Sequence, residues 1–282
     1  MTGRLRVAVP NKGRLMEPTE GLLRDAGLAF ERGDRSLTVP VRNVAIDLLF
    51  VRTEDIVEMI TDGVAGAGIA GLDLIAEAGA DLDVVAELGY GRCRLTAAVP
   101  QESSVTAIGE LDGQRVATAH PRLTARLLAE QQVNATVVPL RGSVEVAPKL
   151  DVADAIVDLV SSGSTMLVNG LRPIATLLDS QAVLVAPREP DGAVAQVATM
   201  LRAVVAGRSR RYLMLNAPGD SVDLISALIP GLRAPSVIPL AHNGDVAVHS
   251  VVEADDLWHV LPELEAAGAT GILVLPVEQL LD

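Results

Sequence analysis

Aromatic side chains are almost missing from this chain: two Phe, two Tyr and one Trp among 282 residues. Single-stranded nucleic acid binding rests on exposed aromatic stacking platforms, so the composition argues against it. Positive charge is also short. With 23 Lys and Arg against 36 Asp and Glu, a formal net charge of -13 repels nucleic acid and anionic membranes on average. A polyanionic ligand must therefore meet a local cluster of cations. The single cysteine, Cys93, excludes an intramolecular disulfide and a thiolate cluster for structural zinc. The four His are scattered without metal-ligand spacing. Mean hydropathy is positive, yet Gly, Pro or a charge interrupts every apolar stretch before it reaches membrane-spanning length. The opening Met1-Thr2-Gly3-Arg4-Leu5-Arg6 enters a strand rather than a signal-peptide core. These absences predict a soluble, cytoplasmic protein that contacts neither nucleic acid nor membrane.

What is present is aliphatic. The hydrophobic share of 49% is built from Ala, Val, Leu and Ile, which suits α/β layers, and the length favours about two domains. Strand-length apolar runs alternate with helical periodicity: strands at 5–9, 46–51 and 66–70, with helices over 14–26, from Thr53 and after Ala70. The pattern restarts with strands at 95–99, 115–118, 136–139 and 155–160, and helices over 122–131 and 143–150. This predicts two lobes of parallel βαβ units, with ligands beyond the carboxyl ends of strands. After a helix over 191–210 the grammar changes to β-α-β-β-α-β, with strands at 212–215, 236–240, 246–252 and 271–275 and helices over 221–228 and 254–267. That order is ferredoxin-like.

The most informative run is Ile156-Val157-Asp158-Leu159-Val160-Ser161-Ser162-Gly163-Ser164-Thr165. It reads as a buried strand delivering an acid into a small, hydroxyl-rich turn before a helix. Backbone N–H groups of such a turn can point at one phosphoryl group while the hydroxyls donate further bonds. Asp158 is then placed to accept from vicinal ribose hydroxyls, so the run suits a sugar phosphate. An ordinary βα turn that caps a helix is the bland alternative. The run lacks the Lys and outer Gly of a P-loop. At the first strand's end, Asn11, Lys12 and Arg14 put two cations and an amide on one turn suited to a triphosphate. Asp73 opens another strand-turn-helix junction and reads plainly as a first-turn acid. His120 ends a third, where a packed or capping histidine is the plain reading. Glu145, four residues after Arg141, reads plainly as its helical ion-pair partner.

Taken together, Val7 to Leu15, Gly68 to Leu74, Glu87 to Leu95, Leu111 to Thr118, Gly142 to Pro148 and Val152 to Asp158 with Asn169-Gly170-Leu171 resemble the long-form ATP phosphoribosyltransferases. These enzymes open histidine biosynthesis. The resemblance implies a two-lobed, periplasmic-binding-protein-like catalytic core with a C-terminal ferredoxin-like (ACT-like) regulatory domain. The expected division is 1–94 with 186–211 as one lobe, 95–185 as the other, and 212–282 as the regulatory domain. It implies catalytic roles for Glu145 and Asp158, and phosphoribosyl pyrophosphate on Asp158, Ser161, Ser162, Gly163, Ser164 and Thr165. ATP falls to Asn11, Lys12, Arg14, Arg52, Gly71, Asp73 and His120. Mg²⁺ would bridge pyrophosphate oxygens, as suits a hard, water-retaining cation, with no confident protein side-chain ligand. The implied reaction is attack of adenine N1 on ribosyl C1 with loss of pyrophosphate.

The tail resembles the family's regulatory domain through Tyr212 to Asn216 and Pro230 to Ser236. This implies feedback inhibition by L-histidine at Asn216, Leu232, Ala234, Ser236 and Val251, in a homo-oligomer of dimers and hexamers. Gly66, Ala70 and His120 stand where the family usually carries Asp, Thr and an aromatic residue, near the expected ATP side. Asn216 and Ala234 stand where an acid and a hydroxyl are common. The rival readings are a two-lobed small-molecule binding protein and a regulatory paralogue without turnover.

Overall fold

In the computed structural model, residues 3–33, 36–161, 164–241 and 244–281 are described. The chain divides into two compact units, Met1–Ala198 and Thr199–Asp282. The first lobe of the first unit is laid down as β1 (Leu5–Pro10), α1 (Met16–Asp25), β2 (Thr38–Pro40), β3 (Ile46–Val51), α2 (Ile56–Thr61), β4 (Ala67–Gly71), α3 (Leu72–Ala78) and β5 (Leu82–Glu87). The second lobe follows as β6 (Cys93–Pro100), β7 (Arg115–Thr118), α4 (Pro121–Glu130), β8 (Thr136–Pro139), β9 (Ala155–Val160), α5 (Ser164–Val168) and β10 (Leu171–Ser180). Strand β11 (Ala182–Pro187) then returns to the first sheet, and α6 (Gly192–Arg208) follows it in the chain.

The first sheet is ordered β2-β3-β1-β4-β11-β5 and the second β10-β6-β9-β7-β8. Strand β1 reads Val-Ala-Val at its centre because helices cover both faces, and all three residues are buried. Parallel pairing joins β1 to β3 and β4, and β7 to β8 and β9. The sheets are not parallel throughout, which corrects the expectation from alternation. Strand β11 runs antiparallel between β4 and β5, and β6 antiparallel between β10 and β9, because each follows a crossing from the opposite lobe. Since β11 begins at Ala182, the return to the first sheet comes before residue 186.

The expected helix over 143–150 is also replaced, by two single 3₁₀ turns, Val144–Val146 and Pro148–Leu150. Pro148 lacks the N–H that an α-helix needs there, and Ser143 and Asp151 bound the segment with φ of 51° and 55°.

Two short crossings join the lobes and bond to each other: Ala182 N–H donates to Tyr90 O at 2.9 Å and Leu88 N–H to Ala182 O at 3.0 Å. Gly91 holds φ of 65° in the first crossing, and a Cβ built there would lie 2.3 Å from Leu15 Cδ2. Only glycine satisfies both constraints.

The second unit carries β12 (Arg210–Pro218), α7 (Val222–Leu228), β13 (Ser236–Pro239), β14 (Asp245–Glu253), α8 (Leu257–Ala266) and β15 (Thr270–Pro276). Its antiparallel sheet has the order β13-β14-β12-β15, the ferredoxin-like order expected from the pattern. Alternation on β12 buries Leu213, Leu215 and Ala217 with Ile225, Val248 and Leu264, leaving Tyr212 and Asn216 exposed.

Gly91→Ala is expected to destabilise the chain by about 2 kcal/mol or more, from the left-handed backbone and the clash together. A fall in the midpoint of urea unfolding checks it.

Candidate active site

Lys12, Arg14, Thr53, Glu54, Gly71, Asp73, Leu74, His120 and Leu159 meet around one cavity of about 320 Å³ between the two sheets of the first unit. Five of the seven residues expected on the ATP side therefore come together. The loop after β1 supplies the cations. Arg14 is steered by the crossing: its Nη1 donates to Gly91 O at 2.7 Å and its Nη2 reaches Cys93 Sγ at 3.1 Å. Asn11 lies just outside the cavity lining, its Oδ1 buried without a hydrogen-bond partner. Arg52 is exposed ahead of the Thr53–Asp55 turn, and its neighbours Thr53 and Glu54 line the cavity instead. Gly66, expected near the ATP side, precedes β4 at the end of that strand opposite Gly71, and does not line this cavity. Ala70 is fully buried in the core under β4.

Asp73 is not a solvated first-turn acid. It is 2% exposed, and its Oδ1 accepts from Ser180 Oγ at 2.5 Å while Oδ2 lies 3.3 Å from His120 Nε2. Ser180 Oγ also accepts from Asp73 N–H at 3.1 Å. Burial works to raise the Asp73 pKa, but the bonds from His120 and Ser180 and the charges of His120 and Arg14 together hold it below its ordinary value. A Cβ on Gly71 would lie 2.4 Å from Asp73 Oδ1, so a bare backbone is required for this carboxylate to turn inward. His120 is 6% exposed, and its Nδ1 is buried without a partner. Ser180 had no signal in the sequence: it lies 107 residues from Asp73, and only the return crossing brings it there.

Asp158 stands on β9, opposite Thr96 on β6, with its Oδ1 accepting from Leu159 N–H at 2.8 Å. Burial raises its pKa; the Leu159 N–H and the charge of His120 oppose that shift, and the negative charge of Glu145 adds to it. Glu145 sits half-buried on the Val144–Val146 turn and makes no ion pair with Arg141. Ser161 lines a neighbouring cavity of about 440 Å³ with Arg92, Cys93, Arg94, Val160 and Gln181. Leu159 and Ser161, two residues apart, thus line adjacent cavities. Arg92 and Arg94 are cations that the sequence motif contained without a role. Ser162 and Gly163 lie outside the described residues; Ser164 and Thr165 are known only as the backbone opening α5.

Among the described residues no group of three or more His, Cys, Asp or Glu could cage a metal ion. Asp158 feels the charge of Glu145, and a cation bound chiefly by substrate phosphates and water, which needs only one or two carboxylates, fits these two residues.

The second unit, taken by itself, holds a cavity of about 890 Å³ lined by Tyr212, Leu232, Arg233, Ala234, Ser236, Ile238, His249, Ser250, Val251 and Leu281. Four of the five expected regulatory residues meet there. Asn216 does not; it lies along β12 opposite Ala247, beside Gly271. Tyr212 Oη and His249 Nδ1, 2.6 Å apart, are polar groups of this wall that sequence reasoning missed.

A carboxyl whose folded-state pKa is raised stabilises the fold below its unfolded pKa, and that contribution is lost as pH rises through the folded value. Ionised Asp158 is therefore a cost to the substrate-free chain at neutral pH. Asp158→Asn is expected to raise the thermal midpoint at pH 7, with the gain vanishing toward pH 3, as a pH series of melts will show.

The sequence profile described as ATP phosphoribosyltransferase matches residues 52–204, and the profile of its C-terminal domain matches residues 207–279. An ATP phosphoribosyltransferase of Gemmatimonas aurantiaca is 43% identical over 98% of this chain and 99% of its own length. That of Halobacterium salinarum is 43% identical over 99% and 100%. The ATP phosphoribosyl transferase (HisG:HisZ) complex from Thermotoga maritima superposes with a TM-score of 0.62 at 28% identity, covering 72% of this chain and 98% of that one. A histidine kinase sensor domain similar to periplasmic binding proteins shares the two-lobed fold, at a TM-score of 0.50 and 12% identity over 71% of this chain and 90% of its own. With its profile match, its full-length relatives and the cleft described above, the chain belongs to the ATP phosphoribosyltransferase family, the transferases that open histidine biosynthesis.

Proposed function

We infer that the chain joins N1 of ATP to C1 of phosphoribosyl pyrophosphate, giving phosphoribosyl-ATP and pyrophosphate, and that L-histidine inhibits it through the second unit. The observation that carries the reading is the meeting of Lys12, Arg14, Gly71, Asp73 and His120 around one cavity, beside the strand that bears Asp158. In a chain of net charge -13, cations gathered at a cleft argue for a polyanionic ligand.

Adenine N1 brings its own lone pair, so no strong base is required. As the N1–C1 bond forms, the bond from C1 to pyrophosphate oxygen breaks, and positive charge develops on the ribosyl ring. Asp158 stands to accept from the ribose hydroxyls and to stabilise that charge, while Lys12, Arg14, Arg92 and Arg94 stabilise phosphates. Binding of a donor that brings positive character to C1 favours ionised Asp158, which the free chain holds at a cost. Mg²⁺ held by pyrophosphate oxygens with Glu145 and Asp158 would supply charge neutralisation to the leaving group.

The 890 Å³ cavity of the second unit offers Ser236, Tyr212 and His249 as polar contacts among Leu232, Ala234 and Val251, which suits a small amino acid with a ring. Inhibition from a separate unit requires histidine to favour one state of an oligomer, which we assign as a dimer in exchange with a hexamer.

Ultraviolet detection of phosphoribosyl-ATP, with ATP, phosphoribosyl pyrophosphate, Mg²⁺ and inorganic pyrophosphatase, tests the transfer. Product is expected from the wild type and a loss of about 100-fold or more in Asp158→Ala; equal rates would remove Asp158 from the site. Ser236→Tyr, which fills the second cavity, is expected to raise the half-inhibitory histidine concentration about tenfold or more, read by the same assay.

A further inference from the structure

Helix α4 begins in an unusual way. Its N-cap residue is His120, whose side chain makes no capping bond, and its first residue is Pro121, which has no N–H. The first free donors of the helix are therefore the backbone N–H groups of Arg122 and Leu123. Neither is satisfied from within its own lobe. Glu77, on α3 of the other lobe, takes both: Arg122 N–H donates to Oε1 at 3.1 Å and Leu123 N–H to Oε2 at 2.7 Å. The Glu77 side chain is only 17% exposed; its bond from Leu123 is partly buried, while that from Arg122 lies at the surface.

Glu77 lies one helical turn beyond Asp73, on the same face of α3. The two acids thus grip consecutive residues of the facing segment. Asp73 holds the His120 ring, and Glu77 holds the two N–H groups that follow Pro121. A carboxylate at a helix N-terminus is favoured by the helix dipole as well as by the bonds. The usual capping position is left to a residue whose ring serves the cleft, and the cap comes from across it.

We propose that Glu77 is a positioning residue for the nucleotide side of the cleft: by capping α4 from the opposite lobe it fixes His120 against Asp73 and holds the walls of the 320 Å³ cavity together. This rests on the reading of that cavity as the ATP side. Glu77 touches no substrate; it acts through the first turn of α4.

The test compares wild type, Glu77→Ala and Glu77→Gln by calorimetric titration of ATP and of phosphoribosyl pyrophosphate, by kinetics in both substrates, and by amide hydrogen exchange at residues 122 and 123. Glu77→Ala is expected to weaken ATP binding and raise its KM about fivefold to tenfold, as loss of a charged cap implies. Affinity for phosphoribosyl pyrophosphate stays within about twofold, since Asp158 stands on β9 and not on α4. Exchange at residues 122 and 123 speeds up. Glu77→Gln keeps one carbonyl acceptor and recovers most of the ATP affinity. Unchanged ATP affinity, or equal losses for both substrates that Gln does not recover, would overturn the proposal. If the wild type binds neither substrate, the ATP reading of the cavity fails and the positioning role with it. In that case exchange at residues 122 and 123 still decides whether the cap exists.

Discussion

A carboxylate at 2% exposure can remain charged only if both oxygens find donors, and Asp73 finds them on two different segments of chain. Ser180 comes from the return crossing and His120 from the start of α4. The ion is thus a geometric condition on the whole first unit: α3, the second crossing and the second lobe must all be in place for it to be satisfied. Breaking such a group by removing one partner leaves an uncompensated buried charge, which costs several kcal/mol, about 3–5. The same network borders the cavity, so the requirement for a folded unit and the requirement for a shaped site are one requirement.

Around that ion the electrostatics are divided. The chain as a whole is acidic, yet Lys12, Arg14, Arg92 and Arg94 face the two adjacent cavities. Arg14 is fixed by the carbonyl of Gly91 and the sulfur of Cys93, so a glycine-bearing crossing also orients a cation. Asp158 is held the other way, with burial and the Glu145 charge resisting its ionisation. One acid is held ionised by its partners, and the other is held toward its neutral form. Environments that push two carboxylates apart are a common mark of a site.

The second unit repeats the theme of one sheet face for the core and one for contact. Strand β12 buries Leu213 and Leu215 beneath the helices and exposes Tyr212 and Asn216. The cavity of this unit lies beside Tyr212 and His249, while Asn216 falls outside its lining. Covalent continuity through α6 joins the units, and allosteric coupling would need an element with two arrangements that both ligands bias.

Periodicity determined the elements and the ferredoxin-like order, because apolar spacing at two or 3.6 residues is a local property. Strands β3, β7, β8 and β9 follow the expected bounds for that reason. The motif-bearing loops likewise delivered Lys12, Arg14, Gly71, Asp73 and His120, since each lies at or just beyond the carboxyl end of a strand, β1 and β4 in the first sheet and β7 in the second. Strand direction was not legible: β10 carries Pro173 and two register shifts that blur its period, and β11 is antiparallel only because the chain has already crossed twice. Ser180 against Asp73, and Glu77 against the N–H groups of Arg122 and Leu123, were invisible as well. Sequence encodes which residues can bury or donate, but partners separated by dozens of residues are chosen only when the lobes close on each other and every buried polar group must find its complement.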